Sequence, residues 1–261
     1  MDIKSVSINN SEMEYIEFWN WEKVLIIIPW LSIKSILINP EAIESAFSDF
    51  INDYKIYLID SLKKVPENYS IEEMAEDTYK TIKEIWIETC NIFWASQGWM
   101  IAQCIAINHP DLIEKLILWS TTPKVGKKSE LIFSRRIDLA KNNKIEELNK
   151  TMASDIYSEK TLKQFWEIIL NMNKDVSDEE LQKFIILAES IKYFNIEDKL
   201  QIIKCKTLAI SSKKDKIFWK EWAEIIAEKT NGKLYIYEDY SHAVYDEAPD
   251  FRTKMLEFLK E

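Results

Sequence analysis

Between residues 23 and 120, short apolar runs alternate with segments that have helical spacing. Val24–Ile28 is a continuous apolar run made mostly of β-branched residues, and residues 55–59 and 91–94 form similar short apolar runs. A short run without polar alternation is typical of a strand buried on both faces of a parallel sheet. The alternation therefore predicts an α/β fold, with a mostly parallel central sheet flanked by helices.

The pattern changes after residue 123, where no convincing strand appears until residue 207. Residues 129–198 read as charged helical segments, and strands then resume before a final helix. We interpret the middle segment as a helical cap insertion at about residues 124–200. The prediction is a single domain, with a core formed by residues 1–123 and 201–261.

The charge and the apolar runs limit the partners and the location of the chain. The formal net charge is −10. Binding to nucleic acids or anionic membranes requires a basic face, so we expect neither as a partner. The longest apolar run has about eight residues, too short for a membrane span, and the first residues lack the pattern of a signal peptide. We therefore expect a soluble cytoplasmic protein with reduced thiols at its three cysteines, Cys90, Cys104 and Cys205.

The candidate nucleophile is Ser96, which stands between the predicted strand at residues 91–94 and a predicted helix. Gly98 follows two residues later, as in the second half of the turn G-x-S-x-G. In that turn the serine Oγ projects above the sheet, and the next backbone N–H points at a developing oxyanion. Trp94 occupies the first small position, where glycine is expected. Alone, the triplet S-x-G is also common in ordinary turns.

The chain has only two histidines that could act as the base. His109 lies between Asn108 and Pro110, two helix-stop residues, so we predict that it caps a helix at the surface. His242 lies in a loop just after the last predicted strand. Loops at the carboxyl ends of strands are where ligand sites gather in open α/β sheets. Because histidine is the usual base near neutral pH, the sequence favours His242.

Several carboxylates are candidates for the residue that orients the histidine. Asp215 directly follows a predicted strand, and Asp60 follows an earlier one, so the same logic applies to both. Asp246 and Glu247 come soon after His242, and we interpret them as caps of the last helix.

Three segments carry a family resemblance that covers nearly the whole chain and is weakest in the cap. NIFWASQGWMIAQCIAINHPDLIEKLILWSTTP resembles the nucleophile turn and the following strand of α/β-hydrolases. TLAISSKKDKIF resembles the acid-bearing strand and loop of that family, and YEDYSHAVYDEAPDFRTKMLEFL its histidine loop and last helix. The order Ser, Asp, His along the chain is the order of this family, which favours Asp215 over Asp60.

The resemblance implies a serine hydrolase that cleaves a small carboxylic ester or a related acyl substrate. Its triad would be Ser96, Asp215 and His242, with an oxyanion hole at the backbone N–H groups of Gln97 and Leu31. No metal or cofactor is implied, and we expect a small-molecule substrate and a monomer or homodimer. A C–C bond hydrolase or lactonase on the same triad stays open, as does a non-catalytic pseudo-hydrolase.

The tryptophan and glycine counts are abnormal for such a fold. The chain has 10 tryptophans and 3 glycines, whereas average usage of about 7% predicts roughly 18 glycines. Tryptophan stands at several places where the fold favours glycine, and we expect strain there. Our hypothesis is that many of these residues are UGA codons of a source that reads UGA as glycine. The positions in question are Trp19, Trp21, Trp30, Trp94 and Trp99.

Overall fold

The fold is built on one sheet of eight strands. The computed structural model describes residues 2–28, 30–171 and 173–261, without the side chains of Trp94 and Ala95. The strands are β1 (Lys4–Ile8), β2 (Ser11–Phe18), β3 (Val24–Ile28), β4 (Lys55–Leu62), β5 (Cys90–Ala95), β6 (Ile113–Trp119), β7 (Lys206–Ser212) and β8 (Lys233–Tyr237).

The strand order is β1-β2-β4-β3-β5-β6-β7-β8. β1 pairs antiparallel with β2, and β2 pairs antiparallel with β4. The strands from β4 to β8 in this order are parallel, so their carboxyl ends meet at one edge of the sheet. Four of the five residues of β3 are buried, as expected for a strand with helices on both faces. The predicted α/β fold class is confirmed.

Helices flank the sheet, and four of them lie between β6 and β7 along the chain. We call α4 to α7 the cap helices; α4 packs against α5 and α7, and α5 packs against α6. The helices are α1 (Pro40–Ala46), α2 (Ile71–Glu84), α3 (Gln97–Asn108), α4 (Lys127–Lys141), α5 (Ile145–Ile156), α6 (Glu159–Asn171), α7 (Asp178–Lys192), α8 (Lys220–Thr230), α9 (Val244–Glu247) and α10 (Phe251–Lys260). Within the described residues, no helix is long and apolar enough to cross a membrane.

Both ends of α2 follow from local sequence. At its start, Ser70 and Glu73 form a capping box, in which each side chain accepts a hydrogen bond from the other residue's backbone N–H. At its end, the N–H of Trp86 donates to the carbonyl of Lys83, and the N–H of Ile87 donates to the carbonyl of Ile82. This pair of bonds is the Schellman motif, which requires a left-handed residue after the helix and usually has glycine there.

Seven non-glycine residues in the described part of the chain have positive φ. Three are asparagines, which tolerate the left-handed region. Two are tryptophans and two are serines, for which this conformation is strained. They are Asn9, Asn143, Asn231, Trp19, Trp86, Ser96 and Ser120.

Candidate active site

Ser96 lies at the sharp connection between β5 and α3. Its backbone has φ 51° and ψ −117°, a conformation that few L-residues adopt. α3 begins at the next residue, Gln97, so the chain passes from strand to helix within one residue. Such strain clusters at functional sites, where the surrounding fold holds an otherwise unfavourable turn. This geometry agrees with the strained turn that the sequence predicts around Ser96.

Asp215 and His242 form a buried hydrogen-bonded pair at the carboxyl edge of the sheet. His242 Nδ1 lies 2.9 Å from Asp215 Oδ2 and 3.1 Å from Oδ1. The side chains of His242 and Asp215 are 6% and 0% exposed. Because an ionised carboxylate only accepts hydrogen bonds, the proton lies on Nδ1 and leaves Nε2 as the basic nitrogen.

The acid is held in place by its own loop. Asp215 Oδ1 accepts the backbone N–H of Ile217 at 2.8 Å and that of Phe218 at 3.0 Å. The ring of Phe218 packs beside the imidazole of His242, with 5.8 Å between the ring centroids. Trp119, at the end of β6, donates its indole N–H to the carbonyl of His242 at 3.3 Å. The loop after β7 therefore holds Asp215, and Trp119 at the end of β6 holds the backbone of His242.

The rival residues have other partners. Asp60 is buried, accepts the hydroxyl of Ser35, and accepts the backbone N–H of Ser61 at 2.7 Å. His109 caps the end of α3, pairs with Glu76 at 3.0 Å and stacks on Tyr79. The structure therefore gives Asp60 and His109 structural contacts away from the Asp215–His242 pair.

The two residues predicted for the oxyanion hole lie beside Ser96 and after β3. Gln97 is the first residue of α3, where the first N–H groups have no partner within the helix. Leu31 is buried in the loop after β3, and Pro29, in the same loop, lies outside the described residues. A small cavity of about 30 Å³ is lined by Trp30 and Gln97 among other residues.

A buried arginine adds positive charge near the acid. Arg136, on α4, is 3% exposed and donates from Nη2 to Asp155 Oδ2 at 3.0 Å. Burial lowers the pKa of the Arg136 guanidinium, while the negative charges of Asp155 and Asp215 oppose that change. The cap helices thus bring a cation into the surroundings of Asp215.

The strain expected at the tryptophans is found at some positions only. Trp19 has φ 63°, as expected, and Trp86 shows the same conformation. The expectation of strain is wrong for Trp99. This residue lies within α3, and its indole is fully buried against Phe93 and Trp119. Its indole N–H has no hydrogen-bond partner among the described residues. Trp30 packs on Tyr245, and the side chain of Trp94 lies outside the described part.

Glu247 has a different role from the helix cap that the sequence suggested. Its carboxylate accepts the backbone N–H of Ser158, just before α6, and that of Ser241, just before His242. Asp250 is instead the N-cap residue of α10. The interpretation of Glu247 as a cap was wrong because its partner Ser158 is far away in sequence. No sequence signal identified this contact.

Comparison with known proteins identifies the fold. The chain matches no protein-family model. It is 25% identical over 206 residues to "Putative carbamate hydrolase RutD" of Rhizobium rhizogenes, covering 75% of this chain and 76% of that protein. A solved α/β-hydrolase enzyme from a Medee basin deep-sea metagenome library superposes with a TM-score of 0.88, at 19% identity, over 99% of this chain and 98% of the other. The chain has the α/β-hydrolase fold.

A second solved structure has the same fold. The enol-lactonase of Burkholderia xenovorans superposes with a TM-score of 0.85 at 19% identity, over 99% of this chain and 100% of the other. Both solved structures therefore share the fold of this chain over nearly its whole length.

Proposed function

We propose that this α/β-hydrolase is a serine hydrolase that cleaves a small carboxylic ester or a related acyl substrate. The proposed triad is Ser96, His242 and Asp215. The observation that carries the proposal is the buried Asp215–His242 pair, with Nδ1 held at 2.9 Å from Oδ2, at the same sheet edge as the strained turn of Ser96. This combination is what nucleophilic acyl transfer requires.

In the proposed reaction, Ser96 Oγ attacks the carbonyl carbon of the substrate while His242 Nε2 takes its proton. The tetrahedral oxyanion accepts hydrogen bonds from the backbone N–H groups of Gln97 and Leu31. The intermediate collapses as His242 returns the proton to the leaving oxygen, which gives an acyl-serine and an alcohol. Water then attacks the acyl-serine by the same steps and releases the acid. Asp215 holds the imidazole and stabilises its charged form.

A small cavity lies beside Gln97, the residue after Ser96. Its volume is about 30 Å³, and Trp30 lines it. Apolar side chains such as Ile28, Ile101 and Leu187 line much of the rest of it. This favours a short, apolar acyl group.

A lactone is the second candidate substrate. The observation that favours it is the similarity to the enol-lactonase of Burkholderia xenovorans over nearly the full length of both chains. A lactone is a cyclic ester, so the same triad would open it without a separate leaving group. Ester and lactone substrates are therefore tested side by side.

The test is a panel of p-nitrophenyl esters of increasing acyl length together with small lactones. We expect turnover of acetate and butyrate esters, falling for longer acyl chains, and loss of at least about a thousandfold in Ser96→Ala. A matched control is Ser120→Ala, because Ser120 also has positive φ and directly follows the neighbouring strand β6. Equal losses in both variants, or turnover that survives Ser96→Ala, would contradict the assignment.

A further inference from the structure

The loops that carry the proposed acid and nucleophile are hydrogen-bonded to the cap helices. In the acid loop, the carbonyl of Ile217 accepts the hydroxyl of Ser129 on α4 at 2.6 Å. Lys216 donates from its ammonium group to a carbonyl of α5 at 2.9 Å. At the turn of Ser96, the side-chain amide of Gln97 donates to the carbonyl of Leu187 on α7 at 2.7 Å. The cap therefore contacts both of these loops through directional bonds.

The histidine loop is hydrogen-bonded to the cap as well. The backbone N–H of Ala243 donates to the carbonyl of Ile156, the last residue of α5, at 2.9 Å. Glu247 bridges the two sides with its carboxylate: Oε1 accepts the N–H of Ser158 at 2.8 Å, and Oε2 accepts the N–H of Ser241 at 3.3 Å. His242 thus lies between Ser241, which Glu247 connects to Ser158, and Ala243, which is hydrogen-bonded to Ile156.

We infer that Glu247 is a positioning residue, which holds the His242 loop against the cap and so fixes the imidazole for catalysis. The inference rests on the proposed function for its catalytic consequence, but its structural part concerns only the placement of His242. A carboxylate is suited to this task because it accepts two charge-assisted hydrogen bonds at once, which are stronger than neutral ones. Its negative charge also lies next to the start of α6, where the helix dipole is positive.

The consequence for the rate follows from geometry. His242 must present Nε2 to the serine within hydrogen-bond distance, and a misplacement of about 1 Å can cost roughly a hundredfold in rate. Removing the bridge frees Ser241, the residue directly before His242, while the bond of Ala243 to α5 remains. A loss of about ten- to a hundredfold in kcat, with KM changed less than about twofold, is therefore expected for Glu247→Ala.

Two variants and one control separate positioning from general stability. Glu247→Gln keeps the size of the side chain but has one acceptor oxygen in place of two, so its kcat falls between wild type and Glu247→Ala. Glu257→Gln, on an exposed position of α10, makes the same chemical change without contact to the loop and leaves kcat unchanged. If Glu247→Ala does not fold, Glu247→Gln alone decides, with the same comparison.

A second readout does not depend on activity. The chain has only two histidines, so long-range proton–nitrogen NMR spectra resolve each imidazole, and His109 serves as the internal reference. In the wild type we expect His242 to carry its proton on Nδ1, as the bond to Asp215 requires. In Glu247→Ala and Glu247→Gln we expect this signal to broaden or to shift toward a mixture of tautomers, with His109 unchanged.

The outcomes distinguish the inference from the proposed function. Changed His242 signals in the variants support the positioning role even if the wild type hydrolyses no ester, in which case the proposed function fails alone. Normal wild-type turnover with unchanged kcat and unchanged His242 signals in both Glu247 variants overturns the inference alone. A loss of melting temperature without any change in kcat or in the imidazole spectrum also overturns it, because that result describes a merely structural contact.

Discussion

Replacing Trp86 with glycine is predicted to stabilise the protein. Trp86 has φ 64° at the position after α2 where the Schellman motif favours glycine. The left-handed conformation costs an L-residue about 1–2 kcal/mol, and glycine avoids that cost. Glycine also lowers the free energy of unfolding by about 0.5–1 kcal/mol, because it has greater conformational freedom in the unfolded chain. The indole is 88% exposed, so little buried area is lost.

The net gain is therefore about 0.5–1 kcal/mol, which raises the melting temperature by about 1–4 °C for a domain of about this size. Trp86→Ala is the matched comparison, because alanine removes the indole but keeps the Cβ that makes the conformation unfavourable. Glu84, an exposed residue in the last turn of the same helix, should show the opposite order. There we expect Glu84→Ala to have a higher free energy of unfolding than Glu84→Gly, by about 1 kcal/mol. The assay is thermal and urea unfolding of all four variants. Alanine equal to or better than glycine at position 86 would refute the reasoning.

The backbone conformation of these tryptophans also predicts the codons that encode them. Trp19 and Trp86 both have positive φ, and asparagine occupies three other such positions. If these tryptophans are glycine codons read as tryptophan, both are encoded by UGA. UGG at both positions would contradict the hypothesis. UGG at Trp30, Trp94 and Trp99 would contradict it for the sites that the family resemblance singled out.

Three further predictions follow from the described contacts. His242→Ala is expected to lower ester turnover by at least about a thousandfold while His109→Ala leaves it nearly unchanged, and comparable losses would show that the base is misassigned. Ser70→Ala removes one half of the α2 capping box and is expected to lower the free energy of unfolding by about 1 kcal/mol, measured by urea unfolding. Burial raises the pKa of all three cysteine thiols, that of Cys205 to about 11, so they stay protonated at neutral pH and should react with Ellman's reagent only on unfolding.

The strands and helices were predictable because local pattern decides them in this chain. β3 matches its prediction at both ends, and α3 begins directly after Ser96 as expected. β4 continues to Leu62, two residues past the Asp60 at which its apolar run ends, because pairing with β2 extends it. Sheet pairing of this kind depends on a neighbour that local periodicity does not reveal.

Tertiary contacts of polar side chains were the part that the sequence could not supply. The carboxylate of Glu247 looked like a helix cap from its neighbours, yet its closest partner is Ser158 in the cap. Asp60 and Asp215 both follow a predicted strand, and spacing alone did not show that Asp215 lies 2.9 Å from His242. Long-range hydrogen bonds are set by the packing of whole elements, so spacing along the chain does not predict them.

The most direct test of the central claim is covalent labelling with a fluorophosphonate, followed by mass spectrometry of the labelled peptide. A serine activated by a buried histidine–aspartate pair reacts at its Oγ, and a serine without a base does not. The account predicts one phosphonylated residue, Ser96, with labelling lost in Ser96→Ala and strongly slowed in His242→Ala. Labelling at another serine, or labelling that survives Ser96→Ala at the wild-type rate, would contradict it.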